Sequence, residues 1–272
     1  FPAFAQEDNQ PTDADFIVAP ALLERAYTSI ASERYEQALR ELSLFILLNP
    51  TYSPAYYSRA QSYASLEQYD EALADLSRAL EIPLALTEAF NADVYALRGD
   101  IYFQQQQLDE AFADYTAAID LAPSLHTLSN RGRVHAIREE YEPALADFNR
   151  AIELDAANPV LYIYRGFVNT ALDDRAAAGS DYLHFFQLVE TDSVDHPPLE
   201  SDGALSVRVA PGVVHHIPFT ANDGQFVSAL AAANSTDVNP LLVLLDAQGE
   251  PLAGDDDSAG NGSVVIIDQP IS

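Results

Sequence analysis

Between residues 19 and 190 the apolar positions recur at helical spacing, and a longer phrase recurs with them. "RGRVHAIREEYEPALADF" (131–148) is echoed by "RGDIYFQQQQLDEAFADY" (98–115) and by "RGFVNTALDDRAAAGSDY" (165–182). Aligning on the shared Ala gives five units starting near Ala19, Ser53, Ala92, Leu125 and Pro159, at spacings of 34, 39, 33 and 34 residues. A period in the thirties marks a stacked repeat, each unit one supersecondary element that buries its apolar face on its neighbours. Position 8 of the units is small: Ala26, Ala60, Gly99, Gly132 and Gly166. Position 20 is always Ala: Ala38, Ala72, Ala111, Ala144 and Ala178. Position 4 is bulky (Leu22, Tyr56, Tyr95, Leu128, Tyr162), and so is position 24 (Leu42, Leu76, Tyr115, Phe148, Tyr182). Small residues let two antiparallel helices approach, and the bulky ones fill the space beside them. The pattern predicts two helices per unit, A then B, with Pro50 and Pro123 placed where helix B stops.

Beyond residue 197 the period shortens. "ALSVRVA" (204–210), "VVHHIPFTA" (213–221), "QFVSALAAA" (225–233), "LLVLLDA" (241–247) and "SVVIIDQ" (263–269) read as short strands between Gly, Asn, Asp and Pro. That spacing suggests a small antiparallel β-sandwich, complete or lacking a final strand. The expected organisation is an N-terminal tail over 1–18, a helical solenoid over 19–190, a Pro-rich acidic linker over 191–201 and the β-sandwich over 202–272. The fold class is thus α plus β in separate domains.

The five concordant units resemble the tetratricopeptide repeat. That resemblance implies helix hairpins stacked into a right-handed superhelix, with helix A lining a concave surface. "VHHIPFTANDGQFVSALAAA" followed by "NPLLVLLDAQGEPLAGDDDSAGNGS" resembles the pre-peptidase C-terminal domain of secreted bacterial proteins. The second resemblance implies export and an auxiliary binding or stabilising role. That family commonly finishes with a Gly-x-Tyr-x-apolar strand, which is not found before Ser272; either the strand lies further on, or an open β edge takes a strand from another chain.

Two positions join the repeats to electrostatics. Position 7 is Arg in every unit (Arg25, Arg59, Arg98, Arg131, Arg165), and position 23 is acidic in every unit (Glu41, Asp75, Asp114, Asp147, Asp181). The chain has only 13 basic residues, all Arg, so five in one register are not scatter. The planar guanidinium can hold a carboxylate through two donors. The expectation is that each Arg pairs with a position-23 acid, within its unit or across to the next, and fixes register. The alternative is that the Arg stems merely cover the apolar seam.

In tetratricopeptide repeats, ligand contacts come from positions 2, 5, 6, 9, 12 and 13 of helix A. Carried onto this chain, the resemblance nominates Tyr27, Tyr57, Gln61, Asp100, Phe103, Gln104, Asn130, Arg133, Tyr164 and Phe167 as partner-binding residues. The surface is aromatic and amide-rich with one Arg. The Lys-, Arg- and Asn-based carboxylate clamp of chaperone-binding members is absent, since position 6 of the middle unit is Leu97 and the chain has no Lys. Aromatics at these positions suit an extended peptide or a helix laid in a groove. Equally, they serve packing between units, or the groove is filled by "DADFIVAP" (13–20). At the far end, Phe185, Phe186, Leu188 and Val189 form an apolar face that a solenoid must cover. Docking of the C-terminal domain is expected there, with another chain as the alternative occupant.

Net charge of −29 opposes nucleic acid and anionic membrane surfaces. It also fits a salty or hot habitat. The absence of Cys removes disulfides and thiolate chemistry. Ala3-Phe4-Ala5 ahead of a polar run reads as the end of a secretory signal, so an extracellular or envelope location is expected. No nucleophile elbow, zinc-protease motif or phosphate loop occurs. His126 and His135 read as packing or surface residues, and His215 and His216 should point to opposite faces of a strand. "GDDDSAGNGS" (254–263), with Asp255 to Asp257, fails EF-hand spacing and reads as a solvated turn. No cofactor, metal or catalytic residue is therefore expected. The functional expectation is an exported, non-enzymatic scaffold for a protein or peptide partner. The alternative is a structural subunit that self-assembles through its solenoid end and an open β edge.

Overall fold

The computed structural model describes residues 13–82, 87–189, 192–195, 213–217, 226–232, 241–245, 251–256 and 263–270. They fall into two compact units divided between Pro123 and Ser124. The first holds α1 (Asp13–Ala31), α2 (Tyr35–Leu48), α3 (Ser53–Ser65), α4 (Tyr69–Glu81), α5 (Glu88–Gln104) and α6 (Leu108–Leu121). The second holds α7 (Leu125–Ile137), α8 (Tyr141–Leu154), α9 (Pro159–Ala171) and α10 (Arg175–Leu188), followed by six short strands. The helices pair as five antiparallel hairpins, one per sequence repeat.

The repeat positions do the packing assigned to them. Ala26, Ala38, Ala60, Ala72, Ala111, Ala144 and Ala178 are fully buried, as are Leu42, Leu76, Tyr115 and Tyr182 at position 24. Position 24 also explains position 8. A Cβ on Gly99 would come within 2.9 Å of the Tyr115 ring, on Gly132 within 2.8 Å of Phe148, and on Gly166 within 2.4 Å of Tyr182. Where position 24 is the smaller Leu42 or Leu76, position 8 is Ala26 or Ala60. Gly therefore accompanies an aromatic ring, and Ala accompanies Leu.

All five hairpin turns share a cap that the sequence does not announce. Glu33, Glu67, Gln106, Glu139 and Asp173, all at position 15, have φ between 56° and 61°. In the first turn the amide of Arg34 reaches the carbonyl of Ser29 and that of Glu33 reaches Ile30, and the same two bonds recur in each unit. This is the Schellman arrangement, usually built on Gly. At helix starts, Thr87, Ser124, Asn158 and Asp174 accept from backbone amides of the first turn.

Several boundaries differ from expectation. The backbone over 13–20, considered as a strip filling the groove or as tail, is the start of α1. By contrast, the extra residues of the second unit around 81–90, whose 39-residue spacing calls for an extra turn or a longer loop, do include an added turn: α5 begins at Glu88 and runs 17 residues, against 13 for α3. Residues 83–86, including Pro83, lie outside the described residues. Of the expected linker, residues 192–195 form a strand, β1.

The described strands do not make the two packed sheets of a sandwich. β1 (Asp192–Asp195) pairs in parallel with β2 (Val213–His216), β3 (Phe226–Ala232) pairs antiparallel with β6 (Ser263–Pro270), and β4 (Leu241–Leu245) pairs antiparallel with β5 (Pro251–Asp256). The expected strand over 204–210 lies outside the described residues. β5 was unexpected, because Pro, Gly and acids read as a turn. It packs against α10, as does β4. Residues 257–262 of the acidic loop lie outside the described residues. Among the described residues no helix is long and apolar enough to cross a membrane, and no cluster of His, Asp and Glu is arranged to hold a metal ion.

Candidate functional site

The Arg–acid register forms in every repeat, sixteen residues apart and within one hairpin. Arg59 donates through Nε and Nη2 to the two oxygens of Asp75, both at 2.7 Å. Arg98 holds Asp114 at 2.7 Å through both donors, and Arg131 holds Asp147 at 2.7 and 2.8 Å. Arg165 donates to Asp181 and Arg25 to Glu41, the latter at 2.9 Å. The acids are all buried. A third donor leaves the hairpin. Nη1 of Arg59 reaches Ser43 at 3.0 Å, Nη1 of Arg98 reaches Ser77 at 3.3 Å, and Nη1 of Arg165 reaches Asn149 at 2.7 Å. Ser43, Ser77 and Asn149 occupy position 25 of the preceding repeat. One guanidinium thus closes its own hairpin and ties it to the one before. Of the two expected pairings, the one within the unit forms; the bond to the neighbouring repeat goes back to a position-25 Ser or Asn and not to an acid of the next unit. Hydrogen bonding to Asp75 and Asp114 raises the basicity of Arg59 and Arg98 despite their burial.

The two ends of this series hold their acids differently. Burial pushes Glu41 up, but hydrogen bonds from Gln37 and Ser29 and the Arg25 charge outweigh it and leave the carboxyl below its ordinary value. For Asp181, burial outweighs Arg165 and Asn169, and the carboxyl lies above its ordinary value.

On the helix A faces of the first compact unit, Tyr57 is the centre. Its ring lies 5.6 Å from Phe90, edge to face. Burial raises its phenol, the nearby carboxylates of Asp93 and Asp100 raise it further, and a hydrogen bond with Gln61 opposes them. Asp100 accepts a 2.9 Å hydrogen bond from the Tyr115 hydroxyl. Tyr27 is 42% exposed; its phenol is raised by partial burial, opposed by a hydrogen bond with Ser58. Phe103 is half-buried and Gln104 exposed. The helix A residues at the nominated positions in this unit include Glu24, Asp93 and Asp100 but no base, and Arg59 and Arg98 are held by Asp75 and Asp114. Phe90 and Asp93 were not among the nominated residues; Phe90 was hidden by the extra turn of α5, which precedes the repeat numbering.

In the second compact unit, Arg133 donates to Asn130 at 2.9 Å and its guanidinium lies 5.3 Å from the centre of the Tyr164 ring. Tyr164 in turn stacks on Phe148, with centroids 5.7 Å apart. Tyr164 is therefore shared between packing and surface, while Phe167 is exposed. Asn130 also lies 3.3 Å from His126. His135 meets Glu140 at 2.6 Å. At the end of α10, Phe185, Phe186, Leu188 and Val189 are half-buried, with the two Phe rings 5.4 Å apart.

Comparison with known proteins agrees with this geometry. Residues 53–82 match one tetratricopeptide repeat model and residues 92–125 match another. Similar solved structures include MamA from Desulfovibrio magneticus RS-1, at 18% identity and TM-score 0.57, covering 63% of this chain and 94% of that one. Pseudomonas aeruginosa PilF is similar at 18% identity and TM-score 0.56, covering 66% and 80%. YrrB, described as a TPR protein with an unusual peptide-binding site, is similar at 19% identity and TM-score 0.53, covering 61% and 84%. At these identities the likeness establishes the fold. No curated protein matches the chain.

Proposed function

Because the chain carries tetratricopeptide repeats, we propose that it is a non-enzymatic protein–protein interaction scaffold, and that its helix A faces bind a peptide segment of a partner protein. The observation that carries the reading is the half-buried Tyr57, set edge to face against Phe90 with Asp93 and Asp100 nearby. Aromatic rings supply contact area at low entropic cost. The acids around them favour a cationic guest, whose Arg or Lys would meet both ring faces and carboxylates. The peptide-binding site ascribed to YrrB supports the general reading. An exported location is part of the proposal, supported by Ala3-Phe4-Ala5 and by the likeness of the C-terminal sequence to secreted auxiliary domains.

The test is a peptide array of basic, acidic and neutral aromatic peptides, followed by calorimetry on the full chain. Basic aromatic peptides are expected to bind, with affinity falling as salt rises. Asp93→Asn is expected to weaken that binding several-fold. Binding that ignores both salt and Asp93→Asn removes the charge preference but keeps the scaffold. An array with no binder of any class removes the scaffold reading.

A further inference from the structure

The repeat pattern breaks at one position, and the break coincides with the unexpected strand. Position 21, on helix B, is bulky in four units: Leu39, Leu73, Phe112 and Leu145. Leu73 packs against a core that includes Val94 and Ile101 of α5, and Leu145 packs against a core that includes Val168 of α9. At these two joints the position-21 side chain belongs to the apolar core shared with the first helix of the next repeat. In the fifth unit position 21 is Gly179. Its φ is not in the left-handed region, so backbone conformation gives no reason for Gly there. Inside a helix Gly is the least favourable residue after Pro.

Close approach supplies the reason. A Cβ on Gly179 would stand 2.6 Å from the carbonyl carbon of Ala253 and 2.9 Å from the amide nitrogen of Gly254. A Cβ on Gly254 would stand 2.5 Å from the Cα of Gly179. Strand backbone thus rests on helix backbone with no room for a side chain between Gly179 and Gly254. The position-24 ring repeats the correspondence. Phe148 lies between Gly132 and Tyr164 of the following helix A. Tyr182 lies between Gly166 and Gly254. β5 therefore stands on α10 where the first helix of another repeat stands on α8.

We propose that the top of α10 is a strand-docking site, and that β5, through Ala253 and Gly254, occupies the place of a sixth repeat and ends the array. Gly179 is the residue that makes this surface accept a strand instead of a helix. The occupant is a segment of the same chain, and while it is seated no further helix can stack on α10.

Hydrogen exchange on the full chain tests this. A two-stranded hairpin is marginal alone, so protection of the amides of Ala253 and Gly254, which face Gly179 and pair with β4, is expected to depend on docking. Gly179→Leu restores the bulky residue of the other units and is expected to speed exchange at those amides at least tenfold, with α8 and α9 unchanged. Gly254→Leu makes the same change from the strand side and leaves the helices untouched, which covers the case in which Gly179→Leu fails to fold. Loss of protection over 251–256 with α8 and α9 intact, in either variant, supports the proposal. Retained protection over 251–256 in both variants overturns it.

Discussion

The ring of Phe148 lies against Gly132 so closely that a Cβ would meet it at 2.8 Å. On an exposed helix, Gly to Ala gains about 1 kcal/mol. Here overpacking, at about 1–3 kcal/mol, reverses the sign. Gly132→Ala is expected to lower unfolding free energy, by up to about 2 kcal/mol. Adding Phe148→Leu recreates the Ala60 and Leu76 pairing of the second repeat. Urea denaturation of the four members of the cycle should give a double variant more stable than the sum of the two single changes.

Arg98 and Arg25 occupy the same register but not the same environment. The Arg98 side chain is 19% exposed and that of Arg25 is 66% exposed. Arg98→Ala leaves the buried Asp114 carboxylate without its fork and is expected to cost about 3–5 kcal/mol. Arg25→Ala removes a largely solvated guanidinium from a carboxylate that Ser29 and Gln37 also hold, and is expected to cost about 1 kcal/mol or less. Equal losses in thermal or chemical denaturation would contradict this account of the register.

Glu139 caps its hairpin with φ 60°, a conformation that strains any residue with a Cβ. Glu139→Gly is expected to raise stability by about 0.5–1 kcal/mol. Glu139→Val is expected to lower it, because a branched Cβ is worst placed there. Melting temperatures of the two variants on either side of the parent check the sign.

Glu41 and Asp181 should link stability to pH in opposite senses. The folded pKa of Glu41 lies below its ordinary 4.5. Its contribution is present above that value and is lost as pH falls through the folded pKa. The folded pKa of Asp181 lies above its ordinary 3.8. Its contribution is present below that value and is lost as pH rises through the folded pKa. Carbon-13 NMR of the side-chain carboxyls is expected to show Glu41 titrating below, and Asp181 above, the exposed acids.

What was legible in the sequence was whatever depended on residue type at a fixed register. The Arg59–Asp75 pair could be read because few residues but Arg and a carboxylate do that work sixteen apart. The Ala26–Leu42 and Gly132–Phe148 pairings could be read as size patterns, though only coordinates reveal that ring volume selects Gly over Ala. The turn at Glu139 could not be read, because Glu carries no signal for a left-handed backbone. β5 was obscured by local composition, since "PLAGDD" has the residues of a turn and its partner surface on α10 is distant in sequence. The site was less legible than the fold. Tyr164 and Tyr57 have the chemistry of ligand contacts, but their spacing also suits packing, and both pack as well as face outward. The partner's chemistry depends on neighbours such as Asp93 and Phe90, which only the folded chain brings to Tyr57.

The third donor of the Arg59, Arg98 and Arg165 forks has a consequence for how the array comes apart. Arg59 grips Ser43, Arg98 grips Ser77 and Arg165 grips Asn149, so melting one hairpin removes an acceptor or a donor from the next. At these joints the interface energy rides on the same side chain that secures the hairpin. Fraying is then discouraged: a hairpin that opens loosens the guanidinium of its neighbour, and consecutive hairpins joined in this way are lost together as a cooperative block.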